Sequence, residues 1–395
     1  MKKGWEYKKL GEICDFRSGF AFKSNKFTKI GEPIIRISDI QNEEIDDSNL
    51  VYFDPKSYTE DLSKYLIYPD DILIAMSGGT TGKLGINTSN RTFYLNQRVG
   101  VFRENKKYLN HRYLFYYLHT KSEESLKIAA GAAQPNLSTA QIKSFIIPIS
   151  PLSEQQRIVD YLDSTFAKID AMKANAEKSL NEAKALFQAS LKEMLEPKEG
   201  WEEKKLKEIV ISITDGDHQP PPKSNDGIPF ITISNIDKNS NKIVFEDTFY
   251  VPQSYFSALK KDRIPQNGDV LYTVTGSFGI PVLIDYQKEF CFQRHIALIR
   301  PNMDILSPTY LFYWILSSYA MYQAEDTATG AAQRTVSLNS LRNFTICVPS
   351  LSEQQRIVAT LDSLKSKVDR LQANFEKISQ ECDALKQAIL RQVFE

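Results

Sequence analysis

The sequence predicts a mixed α/β fold of the α+β kind, with two pseudo-symmetric globular domains separated by a long antiparallel two-helix coiled coil. Three observations lead there. The chain repeats itself once, in order, over nearly its whole length. Each copy opens with short β-branched runs punctuated by turn residues. Each copy then closes on a stretch of about 45 residues that holds neither glycine nor proline.

The repeat is read from ordered matches. WEYKKLGEI from Trp5 returns as WEEKKLKEI from Trp201, 196 residues later. EPIIRISDI (Glu32 to Ile40) matches IPFITISNI (Ile228 to Ile236) at the same offset. Gln97-Arg98 aligns with Gln293-Arg294, and YLFYYL from Tyr113 with YLFYWI from Tyr310. GAAQ from Gly131 returns from Gly330, and PLSEQQRIV from Pro151 returns as PSLSEQQRIV from Pro349, where Ser153 meets Ser352. The offset drifts by only three residues across these matches, which defines a duplicated unit.

Within the first copy, IIRISDI, DILIAMSGG and FIIPIS read as strands, being short, β-branched and bounded by Gly, Pro, Asn or Asp. HRYLFYYLHTKSEESLK reads as one helix, its Tyr, Leu and Phe residues spaced by three and four. The second copy supplies PFITISNI, DVLYTVTG and FTICVPS for strands and SPTYLFYWILSSY for the helix. Globular domains are expected over residues 1–150 and 200–350. Long helices are expected within 151–199 and 351–395.

Both helical stretches open on S-x-x-Q, Ser153 with Gln156 and Ser352 with Gln355, the pattern of a capping box. In the second, Leu361, Leu364, Val368, Leu371, Phe375, Ile378, Cys382, Leu385 and Ile389 alternate by three and four, a heptad seam. The first has Val159, Leu162, Phe166, Ile169, Ala176, Leu180, Ala183, Phe187 and Met194, interrupted by Lys173 and Ser190. An isolated helix cannot hide such a stripe. Two near-equal helices, each following a copy of the same domain, are therefore expected to pair antiparallel rather than fold back on separate domains.

Composition bounds the function. The 395 residues carry 49 Lys+Arg against 49 Asp+Glu, which excludes a strongly basic coat protein for nucleic acid. With 42% hydrophobic and 25% charged residues, bulk disorder is not expected. No uncharged apolar run is long enough to span a membrane, and MKKGWEYKKL has no apolar h-region behind its basic residues. Cys14, Cys291, Cys347 and Cys382 lie far apart and never form CxxC, so a reducing cytoplasm is the expected setting. With four histidines and no clustered ligands, no metal site is expected.

No catalytic residue is assigned either. SGGTTGKL imitates a P-loop, but three rather than four residues separate Gly78 from Gly82, and Leu84 stands where Ser or Thr is needed. Asp70 with Glu104 and Lys106 loosely imitates a nuclease set, yet the Glu-x-Lys has no mate in the second copy. The Asn/Asp-Pro-Pro-aromatic motif of amino-methyltransferases is absent.

GAAQPNLSTAQIKSFIIPISPLSEQQRIVDYLD, repeated as GAAQRTVSLNSLRNFTICVPSLSEQQRIVATLD, resembles the signature of type I restriction–modification specificity subunits. The likeness extends over the whole chain, including the GW-x2-K-K-L opening of each copy. It implies that residues 1–150 and 200–350 are target-recognition domains, each reading half of a split double-stranded DNA sequence. The long helices would be spacers that also dock two methyltransferase subunits, with a restriction/translocase subunit joining. The chain itself would hold no cofactor, S-adenosylmethionine and ATP with Mg being expected only on the partner subunits. A scaffold whose domains bind protein rather than DNA is the rival reading.

A helix of about 45 residues is roughly 65 Å long, which caps the footprint near 20 base pairs. The domains differ most over 41–95 against 237–290, so different half-sites are expected. Residues 1–150 carry 21 basic and 17 acidic groups, whereas 201–350 carry 14 and 16. The second domain is therefore expected to bind DNA weakly alone, with phosphate contacts coming largely from partners.

Base readout favours polar and basic side chains on exposed loops. In the first domain the candidates are Arg17 and Ser18 with Lys23 and Lys26, then Thr80, Thr81 and Lys83, then Gln97 and Arg98. In the second they are His218, Gln219 and Lys223 on a proline-stiffened loop, Thr275 and Ser277 beside Phe278, and Gln293 and Arg294. The repeated Gln-Arg is read rather as a structural hydrogen bond shared by both domains, since the half-sites should differ, and Gln134 and Gln333 are read as loop geometry. Gln155 and Arg157, with Gln354 and Arg356, are candidates for partner docking.

Overall fold

The computed structural model describes residues 4–130, 136–218, 220–330 and 333–395. They fall into two units, Met1–Ala174 with Lys377–Glu395, and Asn175–Glu376. The division cuts through both long helices, Leu152–Met194 and Leu351–Phe394, so each unit holds a globular part and a stretch of each helix.

In unit 1 the strand Val99–Glu104 lies between Cys14–Ser18 and Ile72–Ala75, antiparallel to both, second from one edge of a six-stranded sheet. A five-stranded sheet centred on Glu32–Ile35 packs against it through Ile35, Leu73, Ala75, Leu95, Val99 and Val101. Unit 2 repeats this plan with fewer strands. Ile296–Pro301 lies between Val210–Asp215 and Val270–Thr273, and Ile228–Ile231 centres a three-stranded sheet. Ile231, Leu271, Phe292, Ile296 and Leu298 fill the space between them. The strands buried on both faces are the continuous apolar runs of the sequence.

The helix expected over residues 111–127 is two helices, His111–Thr120 and Ser122–Ala130, and its counterpart is Pro308–Leu316 and Ser318–Thr327. In unit 2 the break has a visible cause. Ser317 is fully buried in an extended conformation, and its hydroxyl donates back to the Trp314 carbonyl at 2.6 Å. Each first helix starts on a polar cap: the Asn110 side chain accepts from the Tyr113 amide, and that of Ser307 from the Tyr310 amide. The buried tyrosines fix the helices to a strand. Tyr113 donates to the Pro148 carbonyl at 2.8 Å, and Tyr310 to the Cys347 carbonyl at 3.0 Å.

The long helices meet within each unit. In unit 1, Lys386 pairs with Asp170 at 2.6 Å and Lys173 with Asp383 at 3.6 Å, so the numbers rise on one helix as they fall on the other. The pairing there is antiparallel. In unit 2, Lys184 donates to Gln372 Oε1 at 2.8 Å. Val159, Leu162, Ile169, Leu180, Phe187, Leu361, Val368 and Cys382 of the seam are buried. Leu385 is not: it is 49% exposed, and Leu390 and Phe394 supply the burial at that end, where the helix turns its stripe toward Tyr113 and Tyr117.

The S-x-x-Q capping boxes do not form at the helix starts. Leu152 and Leu351 are already helical, so Ser153 and Ser352 are the second residues of their helices and lie past the cap position. In the second copy Ser350 takes the capping role instead, accepting from the Glu353 amide at 3.4 Å. In the first copy Pro151, which lacks an amide, stands just before the helix, where its missing donor is not needed.

His119 is mostly enclosed in unit 1, its side chain 16% exposed and edge-on to Phe115 at 4.6 Å. Its Nε2 lies 3.6 Å from Glu43 Oε1, too far for a hydrogen bond. Burial lowers its pKa; Lys386 and Arg112 add to the effect and Glu43 opposes it. The unfolded chain therefore binds the proton more readily, and stability contributed by neutral His119 is lost as pH falls below about 6.5. Denaturant unfolding at pH 7.5 and 5.5 should show a smaller acid loss for His119→Phe than for the wild type. An unchanged pH dependence would reject a buried neutral imidazole.

Candidate nucleic-acid interface

Chain ends of three antiparallel strands meet at one edge of each unit. In unit 1, Ser18 faces Gly100 and Ala75 faces Val99, so the loops after Ser18 and Ala75 adjoin the turn that leads into Val99. Asn136 bridges to Ser77 beside them. In unit 2, Asp215 faces Ala297, Thr273 faces Ile296, and Thr335 bridges to Thr275. Each edge thus collects four segments distant in sequence.

The turn at the centre is tightly framed. In unit 1 the Val99 amide donates to Asn96 O at 2.9 Å, the Asn96 amide to Ile35 O at 3.2 Å, and the Met76 amide to Arg98 O at 2.9 Å. In unit 2 the same bonds run from Ile296 to Gln293 at 3.1 Å, from Gln293 to Ile231 at 3.0 Å, and from Val274 to His295 at 3.0 Å. Gly19 and Gly216 press against these turns: a Cβ on either would lie 2.0 Å from the carbonyl oxygen of Leu95 or Phe292. Only glycine lets the backbones approach so closely.

That frame corrects the alignment of the Gln-Arg pair. The hydrogen bonds equate Asn96 with Gln293, Gln97 with Arg294, and Arg98 with His295. Matching identical letters placed the copies one residue out of step, because Asn96-Gln97-Arg98 and Gln293-Arg294-His295 share two residue types in shifted positions. The expected shared structural hydrogen bond is not there. Gln97, Arg98 and Arg294 are exposed, and neither arginine has a carboxylate partner among the described residues.

The other candidates divide. Ser18 is half-buried at the edge, while Arg17 is paired with Asp15 at 2.7 Å. Lys23 and Lys83 are exposed. Lys26 is engaged, its ammonium 4.2 Å from the Tyr58 ring and bonded to the Ser57 carbonyl. Thr80 is half-buried, bonded weakly to Ser77 O at 3.4 Å. Thr81 is 2% exposed and donates to Gly78 O at 2.7 Å, so it shapes its loop and does not face outward. Thr275 is likewise buried, bonded to His295 Nδ1 at 3.1 Å and accepting from Thr335 at 3.4 Å. Both threonines are better placed to hold the turn than to touch a ligand.

Ser277 is exposed at the loop tip, and Gln293 is half-buried at the first position of the turn. His218 is exposed and bonded to Asp215 at 2.9 Å, with Arg263 3.5 Å from the same carboxylate. Lys223 is exposed, 5.1 Å from the Phe249 ring. Gln219 and Gln134 lie outside the described residues; Gln333 is exposed near Gly276. Burial, Arg294 and His218 all lower the His295 pKa, which favours the neutral ring. Arg334, not singled out from sequence, lies 5.5 Å over the Phe278 ring at this edge.

Gln155 and Gln354 are corrected. Both are completely buried, and each makes three hydrogen bonds to the globular part of its own unit. Gln155 donates to Tyr108 O and Ser150 O and accepts from the Asn110 amide, each at 2.8 Å. Gln354 donates to Ile305 O and Pro349 O at 2.9 Å and accepts from the Ser307 amide at 2.8 Å. A loop that must satisfy its backbone groups consumes them, leaving nothing for a partner. Arg157 and Arg356 stay at the surface, paired with Glu154 and Glu353 at 2.8 and 2.6 Å.

Sequence reasoning also passed over a duplicated ion pair. Arg103 grips Asp71 and Arg300 grips Asp269, each with two nitrogens on two carboxylate oxygens. The signal was present: DDIL against GDVL, and VFRE against LIRP, on neighbouring strands. Elsewhere, Asp70 occupies a left-handed turn with φ 65° and Glu104 is held by His111 Nδ1 at 3.2 Å. Burial pushes the Cys14 and Cys291 thiols up to about 12, far from a reactive thiolate. Among the described residues no group of His, Cys, Asp and Glu is arranged to hold a metal, and no helix is long and apolar enough to cross a membrane.

Comparison with known proteins adds to this geometry. The family model for the type I restriction modification DNA specificity domain matches residues 2–182 and again 198–380. The sequence is 24% identical over 419 residues to the type I restriction enzyme EcoBI specificity subunit of Escherichia coli, covering 99% of this chain and 85% of that one. It is 26% identical to the EcoKI specificity subunit of Escherichia coli strain K12, over 100% and 89% of the two chains. A solved structure from work on complex assembly and conformational transition of the type I R-M system superposes with a TM-score of 0.75. It is 21% identical and covers 99% of this chain and 98% of that one, a likeness of fold.

Proposed function

The chain belongs to the type I restriction modification DNA specificity family, and from that premise we propose that it is the non-catalytic subunit that reads a split, asymmetric DNA sequence. Each loop edge reads one half-site. The observation that carries this is the pair of edges themselves: one backbone frame, made twice, presenting different polar side chains. Gln97, Arg98 and Lys83 stand on the first, and Arg294, His295, Ser277 and Arg334 on the second. Arginine and glutamine on a rigid exposed turn suit the hydrogen-bonding edges of bases in the major groove.

Net charge differs between the globular parts, and Asp215 and Asp217 lie beside the second edge. Phosphate neutralisation is therefore assigned mainly to partner subunits, two methyltransferases and a restriction/translocase subunit, which also carry S-adenosylmethionine and ATP with Mg. Arg157 and Arg356, exposed near the start of each long helix, are available to such partners. The setting is cytoplasmic.

Co-expression with the methyltransferase and genome-wide mapping of modified bases tests the reading. A bipartite motif is expected, and exchanging residues 200–350 for those of a relative should replace one half of it and leave the other intact. Methylation of both halves changed together, or of an undivided motif, would reject it.

A further inference from the structure

The two edges can be superimposed in mind residue by residue, because their hydrogen bonds are the same. Everything that builds the frame is repeated: Gly19 with Gly216, Arg103–Asp71 with Arg300–Asp269, and Ser77–Asn136 with Thr275–Thr335. The backbone bonds of the turn are shared, whereas its two central residues differ in character as well as identity. One unit has Gln97-Arg98, the other Arg294-His295.

A side chain that shaped the turn or gripped a DNA phosphate would serve both units equally and could be the same in each. Backbone bonds already satisfy the turn, and the side chains of Gln97, Arg98 and Arg294 make no hydrogen bond or ion pair among the described residues. His295 spends Nδ1 on Thr275 and keeps Nε2 toward the edge without a partner among those residues. Polar groups left without partners, divergent between the copies on a shared backbone frame, are the combination expected of residues that read sequence.

We propose that Gln97-Arg98 and Arg294-His295 are specificity-determining pairs, each reading adjacent base edges in its own half-site. The inference rests on the proposed function and deepens it. Arg98 and Arg294 each take the O6 and N7 acceptors of a guanine, and Gln97 takes the N6 and N7 of an adenine. His295 contributes a single hydrogen bond through Nε2.

The test grafts one turn onto the other in the full chain. Gln97→Arg with Arg98→His gives the first unit the second turn, and Arg294→Gln with His295→Arg does the reverse. Each variant is co-expressed with the methyltransferase and its modified motif mapped beside the wild type. Each graft should change base preference by roughly tenfold or more at one or two positions of its own half-site, the other half-site and the gap being unchanged. Arg98→Lys, a milder change, should weaken the guanine preference at one position, since an ammonium cannot make the bidentate contact.

Thermal unfolding accompanies each variant. A graft that melts as the wild type does but keeps the motif and rate overturns the proposal. So does a uniform loss of rate on every sequence, the signature of a phosphate contact. Should the wild type modify no split motif at all, the broader reading fails, and that outcome is separate from a graft without effect.

Discussion

Asp269→Ala should destabilise unit 2 by about 3 kcal/mol, the loss typical when one member of a buried ion pair is removed. Asp269 is 2% exposed and Arg300 16%. The carboxylate accepts from Arg300 Nε at 2.9 Å and Nη2 at 2.7 Å, and also from the Gln266 amide at 2.8 Å. Alanine strands the guanidinium with only the Ile264 carbonyl, at 2.9 Å. For a unit of this size the shift in Tm is roughly 6–12 °C. Asp269→Asn should cost less, because one acceptor survives, and pairing Asp269→Ala with Arg300→Met should recover part of the loss by removing the orphaned charge. Denaturant unfolding reads all three. A loss below about 1 kcal/mol would place the pair with ordinary surface ion pairs and reject its structural role.

Gln354→Ala should be almost as damaging, by about 2–4 kcal/mol, for a different reason. The change removes no charge. It leaves the Ser307 amide and the Ile305 and Pro349 carbonyls without their partner in a fully buried place, and opens a cavity beside them. Because Ser307 caps the helix Pro308–Leu316, the loss reaches the tyrosine that secures that helix to its strand. Gln354→Glu should also destabilise, since a carboxylate cannot donate to the two carbonyls. Arg356→Ala, two residues further along the helix and exposed, is the control and should alter stability by less than about 0.5 kcal/mol. Equal effects of the two substitutions would return Gln354 to the surface role expected from its position in the repeated motif.

The extent to which the sequence was legible follows from how far each signal reaches along the chain. The duplication and the long helices are signals of composition and spacing, so Leu361, Val368 and Cys382 could be placed on a seam without coordinates. Leu385 escaped because the last turns of its helix answer to Tyr113 and Tyr117, far away in sequence. The capping box at Ser153 failed for a local reason: the motif fits, but helix geometry begins before it. At the loop edge, Arg98 and Arg294 were recognised by chemical type, whereas their partners in the other copy were assigned by letter and came out one residue adrift. Residue identity is a poor ruler in the very place where two readers are free to diverge.

By itself, then, the sequence determined the duplicated plan, the class of fold and the family, because these depend on order, period and motif. The tertiary structure alone decided which polar residues face outward. Gln155 and Arg157 are two positions apart on one helix, yet one is locked in hydrogen bonds and the other is in solvent. Thr81 and Lys83 part in the same way on one loop. A polar side chain is committed or available according to what the rest of the fold brings against it, and those neighbours lie tens of residues away, beyond any local pattern.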